Sequence, residues 1–259
     1  MKKYIKEMLK RKDLIGYLVL SGQKANNRDS YLGYFWWLLD PLLNVLIFYF
    51  LRVVILKATG EDLAVFLAIG LVVWKWMSST INSSSKSITR HSSIINQVYL
   101  PKAIFPIATT LSQMFNFAFG LIVIAIFLAI FGVIPGWQVI FLPVIILVQL
   151  IFLLAVSLFI GYISVFIRDI DNLTKHIVRL LFYASPVIWE GGRLAGSKYE
   201  FVVRLNPFAF IIDAYRDVLM YGQTPSFLKL GTVALGSLVA FILLIRHYSR
   251  NEHKIIKSL

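Results

Sequence analysis

The chain has 259 residues, and 58% of them are hydrophobic. This share exceeds the roughly 45–50% of soluble domains, so a single soluble domain is excluded and a polytopic membrane protein is predicted. The formal net charge of +13 does not indicate a nucleic-acid partner, because the cations stand at the ends of apolar runs rather than in one patch.

Residues 1–34 predict an interfacial segment on the cytoplasmic side. Lysine and arginine alternate with apolar residues at spacings of three and four, as in an amphipathic helix lying on a membrane surface. For residues 1–12 a solvated charged tail is equally consistent with the pattern, whereas residues 14–28 favour the interface. We expect no cleavable signal sequence, because the first apolar stretch is short, and the first span would then act as a signal anchor.

Six apolar stretches predict six transmembrane helices, which we name spans one to six. They cover residues 36–56, 63 to beyond 74, 103–133, 137–167, 173–189 and 225–245. The apolar part of span two, at ~1.5 Å per residue, is too short to cross a ~30 Å hydrocarbon core. Its helix must therefore continue through the polar residues Ser78 to Ser85, with these side chains facing other helices or water.

Three segments outside the spans have distinct patterns. Residues 83–98 are polar and basic and predict a short cytoplasmic helix before Pro101. Residues 190–224 hold amphipathic fragments broken at Asn206-Pro207, which is typical of re-entrant helices, although an external loop with a surface helix gives the same pattern. We favour re-entry. Residues 246–259 form a basic tail.

The distribution of lysine and arginine predicts the orientation. The segments assigned to the cytoplasm are residues 1–34, 80–103, 168–179 and 246–259. They hold 18 of these cations, against six in external segments and two, Arg52 and Lys75, within spans. The positive-inside rule then places both termini in the cytoplasm and the chain in the plasma membrane as a multi-pass protein.

No catalytic or metal-binding constellation is predicted. The chain has no cysteine, and its four histidines lack metal-ligand spacing. It also has no glycine-rich phosphate loop, so no cofactor is expected in this chain. Transport driven by ATP and magnesium would need a separate ATPase polypeptide to bind them.

Charges and aromatic residues within the apolar runs are the sharper clues. Lys75, next to Trp74, indicates a pathway or an ion partner, with snorkelling as the alternative. Asp213, Arg216 and Asp217 share one helical surface and predict a local salt-bridge set. The aromatic cluster that follows Tyr31 is consistent either with an interfacial belt or with a surface on which sugar rings stack.

Five segments together resemble the membrane subunit of type-2 ABC exporters, in particular the polysaccharide and teichoic acid export permeases. The segments are SYLGYFWWLLDPLL (30–43), INQVYLPKAIFPIATTLSQMFN (95–116), VFIRDIDNL (165–173), RLLFYASPVIW (179–189) and LNPFAFIIDAYRDVLMYG (205–222). Their order covers essentially the whole chain as one transmembrane domain, 1–259. The last two segments look most like the wall teichoic acid permeases of Gram-positive bacteria and less like the O-antigen exporters.

The resemblance implies a fold, partners and a cargo. The fold would be all-α, with six transmembrane helices, an N-terminal amphipathic gate helix, a cytoplasmic coupling helix at about 83–98 and external re-entrant helices at 190–224. The permease would be a homodimer among membrane lipids, joined to two copies of a cytoplasmic ABC ATPase that binds ATP and magnesium. The cargo would be wall teichoic acid on undecaprenyl diphosphate, exported to the outer face of the plasma membrane. Alternative cargoes are O-antigen, capsular polysaccharide or a small drug.

The resemblance also implies roles for individual residues. The gate and substrate headgroup contacts would be Lys24, Arg28, Ser30, Tyr31 and Gly33. The pore would be lined by Tyr34, Phe35, Trp36, Trp37, Trp74 and Lys75. The ATPase would be coupled through Lys86, Arg90, His91, Ile94, Ile95, Arg168 and Asp169. The external re-entrant cap would use Asn206, Pro207, Asp213 and Arg216. The chain departs from its relatives at Asn26-Asn27, where they place a basic residue followed by an aromatic one, so Lys24 and Arg28 are the candidate replacements.

Two other protein classes fit the sequence less well. A membrane-embedded lipid-modifying enzyme needs an acidic and histidine cluster at one membrane face, but the pairs Asp169/Asp171 and Asp213/Asp217 are predicted on opposite sides. An ion-driven carrier needs carboxylates near the middle of the membrane, and essentially none is predicted there.

Overall fold

A computed structural model of the chain describes residues 2–27, 31–57, 60, 62–97, 99–167, 169–194 and 196–258. Throughout these ranges the regular structure is helical and contains no β-strand, which confirms the predicted all-α class. The α-helices are α1 (Lys2–Lys10), α2 (Lys12–Asn27), α3 (Trp36–Phe50), α4 (Leu63–Ser84), α5 (Ser92–Gln97), α6 (Ile104–Ile130), α7 (Leu142–Phe166), α8 (Ile170–Ala184), α9 (Glu200–Arg204), α10 (Pro207–Leu219) and α11 (Phe227–Ser258).

Five helical stretches among these residues are long and apolar enough to cross a membrane. They are Gly33–Ile55, Leu63–Ser84, Ile104–Ile130, Trp137–Phe166 and Phe227–Ser258. They coincide with five of the six predicted spans and show that the chain is an integral membrane protein. The remaining prediction, span five, coincides with α8, whose ~22 Å length is short for a ~30 Å hydrocarbon core.

Helix α4 is the centre of the bundle. Over its most apolar stretch 83% of the residues are buried, against 11–33% in the other four spans. Helices α3, α6, α7, α8 and α10 all pack against it. A helix that is apolar around its whole circumference is stable when other helices surround it, as here.

The polar end of α4 confirms the predicted continuation of span two. Ser84 is fully buried and donates a hydrogen bond to Ser157 Oγ of α7 at 2.7 Å. Ser157 in turn donates to the Pro106 carbonyl oxygen of α6 at 3.0 Å. These two hydroxyls therefore find partners on other helices, whereas Thr80 Oγ1 and Asn82 Oδ1 in the same part of α4 are buried without a hydrogen-bond partner among the described residues.

The two ends of the chain meet at the start of α6. Tyr4 of α1 accepts a hydrogen bond from the Ala103 backbone N–H at 3.2 Å. Glu252 of α11 lies 3.6 Å from Lys102 Nζ and accepts a hydrogen bond from Tyr99 at 2.8 Å. The basic tail predicted for 246–259 is helical as far as Ser258, because α11 continues through it with one non-helical residue at Asn251.

Candidate functional site

An ion pair lies within the depth of the membrane spans, between α3 and α4. Lys75 Nζ is 2.9 Å from Asp40 Oδ2, and both side chains remain exposed, at 44% and 59%. Lys75 precedes the Ser84 end of α4 by nine residues, or ~14 Å. Charges at such a depth face water or protein rather than lipid, so this pair marks a hydrated part of the bundle.

The ion pair opens onto a cleft of about 190 Å³ between α3, α4 and α6. Its wall is aromatic, formed by Trp36, Trp37, Trp76 and Phe117. Its floor is polar and is formed by Ser79, Gln113 and Asn116. Aromatic faces beside amide and hydroxyl groups are suited to hydroxylated ligands, because a sugar ring presents both an apolar face and a polar edge.

The sequence predicted Lys75 at this site but missed its partner. Asp40, near the start of α3, was assigned no role from the sequence. A signal was present in the sequence, since a lysine and an aspartate in neighbouring spans are each costly in lipid alone and less so as a pair.

The aromatic residues predicted for the pore fall into two groups. Trp37 contacts Tyr34, Phe115 and Phe119, with ring centroids 4.8, 5.3 and 4.9 Å away. Of this group Trp37 lines the cleft, as does Trp36, whereas Phe35 is exposed without lining it. Trp74 instead is buried between Phe182 of α8 and Phe208 of α10, at 5.8 Å from each ring centroid.

The residues predicted for the gate precede the aromatic group. Gly33 has a φ of +49°, a left-handed conformation that glycine adopts without strain, and it begins the turn into α3. Tyr31, just before it, is fully exposed. Lys24 belongs to α2, but its side chain, like the whole of Arg28 and Ser30, lies outside the described residues. Their predicted contact with a headgroup stays a prediction.

The predicted coupling segment forms two short helical turns, Thr89–His91 and α5, rather than one helix. His91 Nδ1 lies 2.9 Å from the Ser87 carbonyl oxygen, and its ring stacks on Phe105 at 4.9 Å. Arg90 and Ile94 are exposed, whereas Ile95 is buried in the bundle. The segment is thus anchored to the bundle by some side chains and presents others at the surface.

Asp171 at the start of α8 holds the coupling segment in place. Its carboxylate is 2.8 Å from Lys175 Nζ and 2.9 Å from Lys86 Nζ, and it accepts a hydrogen bond from Ser85 at 2.9 Å. Hydrogen bonds from Lys175, then Lys86 and Ser85, hold the pKa of Asp171 well below its usual range. Asp169 is exposed, and Arg168 lies outside the described residues.

Arg216 of α10 makes the most extensive polar contact at the end of the bundle opposite the coupling segment. Its buried guanidinium donates to the carbonyl oxygens of Pro186 at 2.6 Å, Val187 at 2.8 Å and Phe66 at 3.2 Å. It also lies over the Phe66 ring, 3.4 Å from the centroid. The predicted salt bridge with Asp213 or Asp217 is wrong, since no ion pair of the described residues includes Arg216.

The remaining predicted residues of this end begin α10. Asn206 is the N-cap, and its side-chain oxygen accepts hydrogen bonds from the N–H groups of Phe208 at 3.0 Å and Ala209 at 3.4 Å. Pro207 occupies the first helical turn, where its missing N–H costs nothing. The Asn206 amide also donates to Ser185 at 2.9 Å and so ties α10 to the end of α8.

No group of three or more histidine, aspartate or glutamate side chains in the described part of the chain could hold a metal ion. Three arrangements are the candidates for function: the aromatic cleft with its ion pair, the coupling segment, and the Arg216 contact. They are compatible with a protein that binds a ligand and moves it.

Comparison with known proteins gives this arrangement a family. The sequence signature of the ABC-2 type transporter family matches residues 14–220, which include the cleft, the coupling segment and Arg216. The O-antigen export system permease protein RfbA of Myxococcus xanthus is 26% identical over 236 residues, which cover 91% of each chain. Two proteins of the same name from Klebsiella pneumoniae are 28% and 26% identical over 211 residues, which cover 81% of each chain.

Proposed function

Because this chain belongs to the ABC-2 type transporter family, we propose that it is the membrane permease subunit of an ATP-driven polysaccharide exporter. The observation that carries the proposal is the cleft at Lys75 and Asp40, where a hydrated ion pair lies beside aromatic walls within the membrane. The three relatives named for O-antigen export support a polysaccharide as the cargo.

The proposed topology has six spans, with α8 as the short fifth span. Two contacts support this assignment: Asp171 meets Ser85 at one end of α4, and Val187 meets Arg216 beside Gly70 near the other. Between α8 and α11, helix α10 is buried against α4 and α7, as expected of a re-entrant helix. The positive-inside count supports a cytoplasmic position for the coupling segment and both termini, even when Lys175 and Arg179 of α8 are left out of it.

The proposed assembly is a homodimer of this permease with two copies of a cytoplasmic ATPase. The ATPase would supply ATP and magnesium binding and would dock on the exposed part of the coupling segment, at Arg90 and Ile94. The variants Arg90→Glu and Ile94→Asp should abolish copurification with the partner ATPase. Lys198→Glu at the other end is the control and should leave the complex intact. Copurification of both coupling variants at the wild-type level would contradict the docking assignment.

The cargo we propose is a polysaccharide linked to a polyprenyl diphosphate carrier. O-antigen-type polysaccharide is supported by the named relatives. Wall teichoic acid in a Gram-positive bacterium is the second candidate, supported by the resemblance of residues 179–189 and 205–222 to teichoic acid permeases. The same aromatic cleft would accommodate either polymer, since both present hydroxylated units.

Depletion of the chain tests the function directly. Surface polysaccharide should disappear while its lipid-linked form accumulates on the cytoplasmic side, and composition analysis of that lipid identifies the polymer. The variants Lys75→Glu and Asp40→Lys should each impair export, and their combination should restore part of it because the pair is re-formed with reversed charges. Normal surface polysaccharide after depletion would refute the proposed function.

A further inference from the structure

Helix α8 carries a polar stripe that no other described helix covers. The stripe consists of Asn172, Lys175, His176, Arg179 and Tyr183, which are all exposed. They recur at spacings of three and four and therefore share one side of the helix over three turns. Arg179 and His176 form no ion pair or hydrogen bond with another described residue.

The contacts of α8 with α4 define the depth of this stripe. Asp171 hydrogen-bonds Ser85, and Phe182 packs against Trp74, so the two helices run antiparallel side by side. Eleven residues separate the two contacts on each helix, and Arg179 therefore lies level with Met77. This position is ~10 Å inside the Ser84 end of a helix that itself crosses the membrane.

The opposite side of α8 is apolar. Leu173, Ile177 and Leu181 line an apolar groove of about 760 Å³ that separates α8 from α7 and α11. A groove of this composition at membrane depth is suited to lipid hydrocarbon. The helix thus has one side compatible with lipid, one side packed on α4, and a third side that carries exposed cations.

We propose that the polar stripe of α8 lines the aqueous translocation pathway and that Arg179, with Lys175 and His176, binds phosphate groups of the cargo there. A cation ~10 Å from the end of a membrane-crossing helix is costly against lipid but not against water or an anion. Guanidinium groups bind phosphate oxygens through paired, charge-assisted hydrogen bonds. This inference rests on the proposed function and adds to it the chemical class of the group that is recognised, a phosphate ester.

Two parts of a lipid-linked polymer carry this chemistry. The first is the diphosphate of the polyprenyl carrier, and the second is a phosphodiester within the polymer backbone. Phe48 of α3 packs on Phe182 of α8, with 5.7 Å between centroids, so α3 and α8 are neighbours in the bundle. In the proposed homodimer, α3 and α8 of the two copies would enclose one passage with the stripe cations facing it.

The absence of cysteine makes the accessibility of the stripe directly measurable, because each introduced thiol is the sole one in the permease. Single-cysteine variants at Asn172 and Tyr183 are compared with variants at Leu173 and Ile177 on the groove side. The full permease–ATPase complex in membrane vesicles is treated with anionic and cationic water-soluble methanethiosulfonates. The stripe thiols should react at least about tenfold faster than the groove thiols, as expected for an aqueous surface. The anionic reagent should be the faster one, and Arg179→Gln should remove this preference.

Three probes identify the bound group. Farnesyl diphosphate should slow labelling at the stripe and farnesol should not, which would assign the site to the carrier. Protection by bis(glyceryl) phosphate alone would assign the site to the polymer backbone. In export assays, Arg179→Gln should lower the rate about tenfold, the loss of one strong contact. Arg179→Lys, which keeps the charge but not the paired hydrogen bonds, should retain an intermediate rate, and the membrane levels of both variants are measured as the folding control.

Equally slow labelling of both sides of α8, or stripe labelling that neither phosphate probe affects, would overturn the inference. The proposed function fails in a different way, through normal surface polysaccharide in depleted cells. Loss of surface polysaccharide on depletion combined with unlabelled stripe thiols would retain the exporter and reject the phosphate pathway.

Discussion

Arg216 offers the most direct test of how the bundle is held together at the end opposite the coupling segment. The variant Arg216→Met removes the guanidinium that binds the carbonyl oxygens of Pro186 and Val187 in the turn after α8. These carbonyls lie outside the helices, so each loses its partner at a cost of about 1–3 kcal/mol. The Phe66 carbonyl belongs to α4 and still accepts a hydrogen bond within that helix, so it is not left unpaired.

The net effect is smaller than the sum of the lost hydrogen bonds. Removing a buried guanidinium also removes its desolvation cost, and the methionine gains apolar burial of about 1.5–3 kcal/mol. We expect Arg216→Met to lower the free energy of unfolding by about 2 kcal/mol. For a chain of this size that corresponds to a fall in Tm of about 4–8 °C. Gel filtration of the detergent-solubilised permease after heating measures this Tm.

Two further variants separate the carbonyl contacts from charge alone. Arg204→Gln is the matched control, because Arg204 pairs with Glu200 at 2.9 Å but is 77% exposed. Its loss should shift Tm by about 2 °C or less. Arg216→Lys keeps the charge but cannot reach three carbonyls, so it should recover less than half of the deficit. A wild-type Tm for either Arg216 variant would refute the reasoning.

Three further predictions concern other contacts of the bundle. Gly70→Ala should lower Tm, because the added Cβ would overlap the Val187 carbonyl oxygen, whereas Gly236→Ala, which meets open space, should not. Glu252→Gln should cost about 3–5 kcal/mol by leaving the buried Lys102 ammonium unpaired, and Lys102→Met in the same chain should recover most of that loss, as measured by Tm. Asp171→Asn should lower Tm by an amount that is constant above about pH 5, because the depressed pKa of Asp171 keeps the carboxylate ionised; the gap to wild type should close only as the pH falls below about 4. A gap that closes already near neutral pH would contradict the Asp171 assignment.

The sequence predicted the elements of this fold better than their contacts. Hydropathy located all five long spans, since a run of about twenty apolar residues predicts a span however the helices pack against one another. It also required α4 to continue through its serines, because a shorter helix would not cross the hydrocarbon core. The helical form of the tail of α11 was not predicted, since its residues are mostly polar and long-range contacts hold it: Tyr248 donates to the Leu158 carbonyl oxygen at 2.9 Å, and Glu252 accepts from Tyr99 at 2.8 Å.

The candidate site shows the same division. Lys75 was predicted because a lone cation in a span is conspicuous, but its partner Asp40 was not, since pairing between spans depends on rotation and register that periodicity does not encode. Arg216 was assigned to a salt bridge from its i, i+3 neighbour. Its actual acceptors are backbone carbonyls distant in sequence, and these have no signature in the side-chain pattern.

The stripe on α8 went unnoticed for a related reason. Lys175, His176 and Arg179 were assigned to a cytoplasmic segment, and their significance depends on depth, which follows from the alignment of α8 with α4. That alignment is fixed at both ends: at one end by Asp171, which also binds Lys86 of the coupling segment, and at the other by Val187 with Arg216. Between these two attachments, the stripe side and the groove side of α8 are not packed against another described helix. A displacement of the coupling segment would therefore act first on α8, through the Asp171 ion pairs, and only then on the better packed helices. It would move the stripe cations relative to the pathway that they are proposed to line.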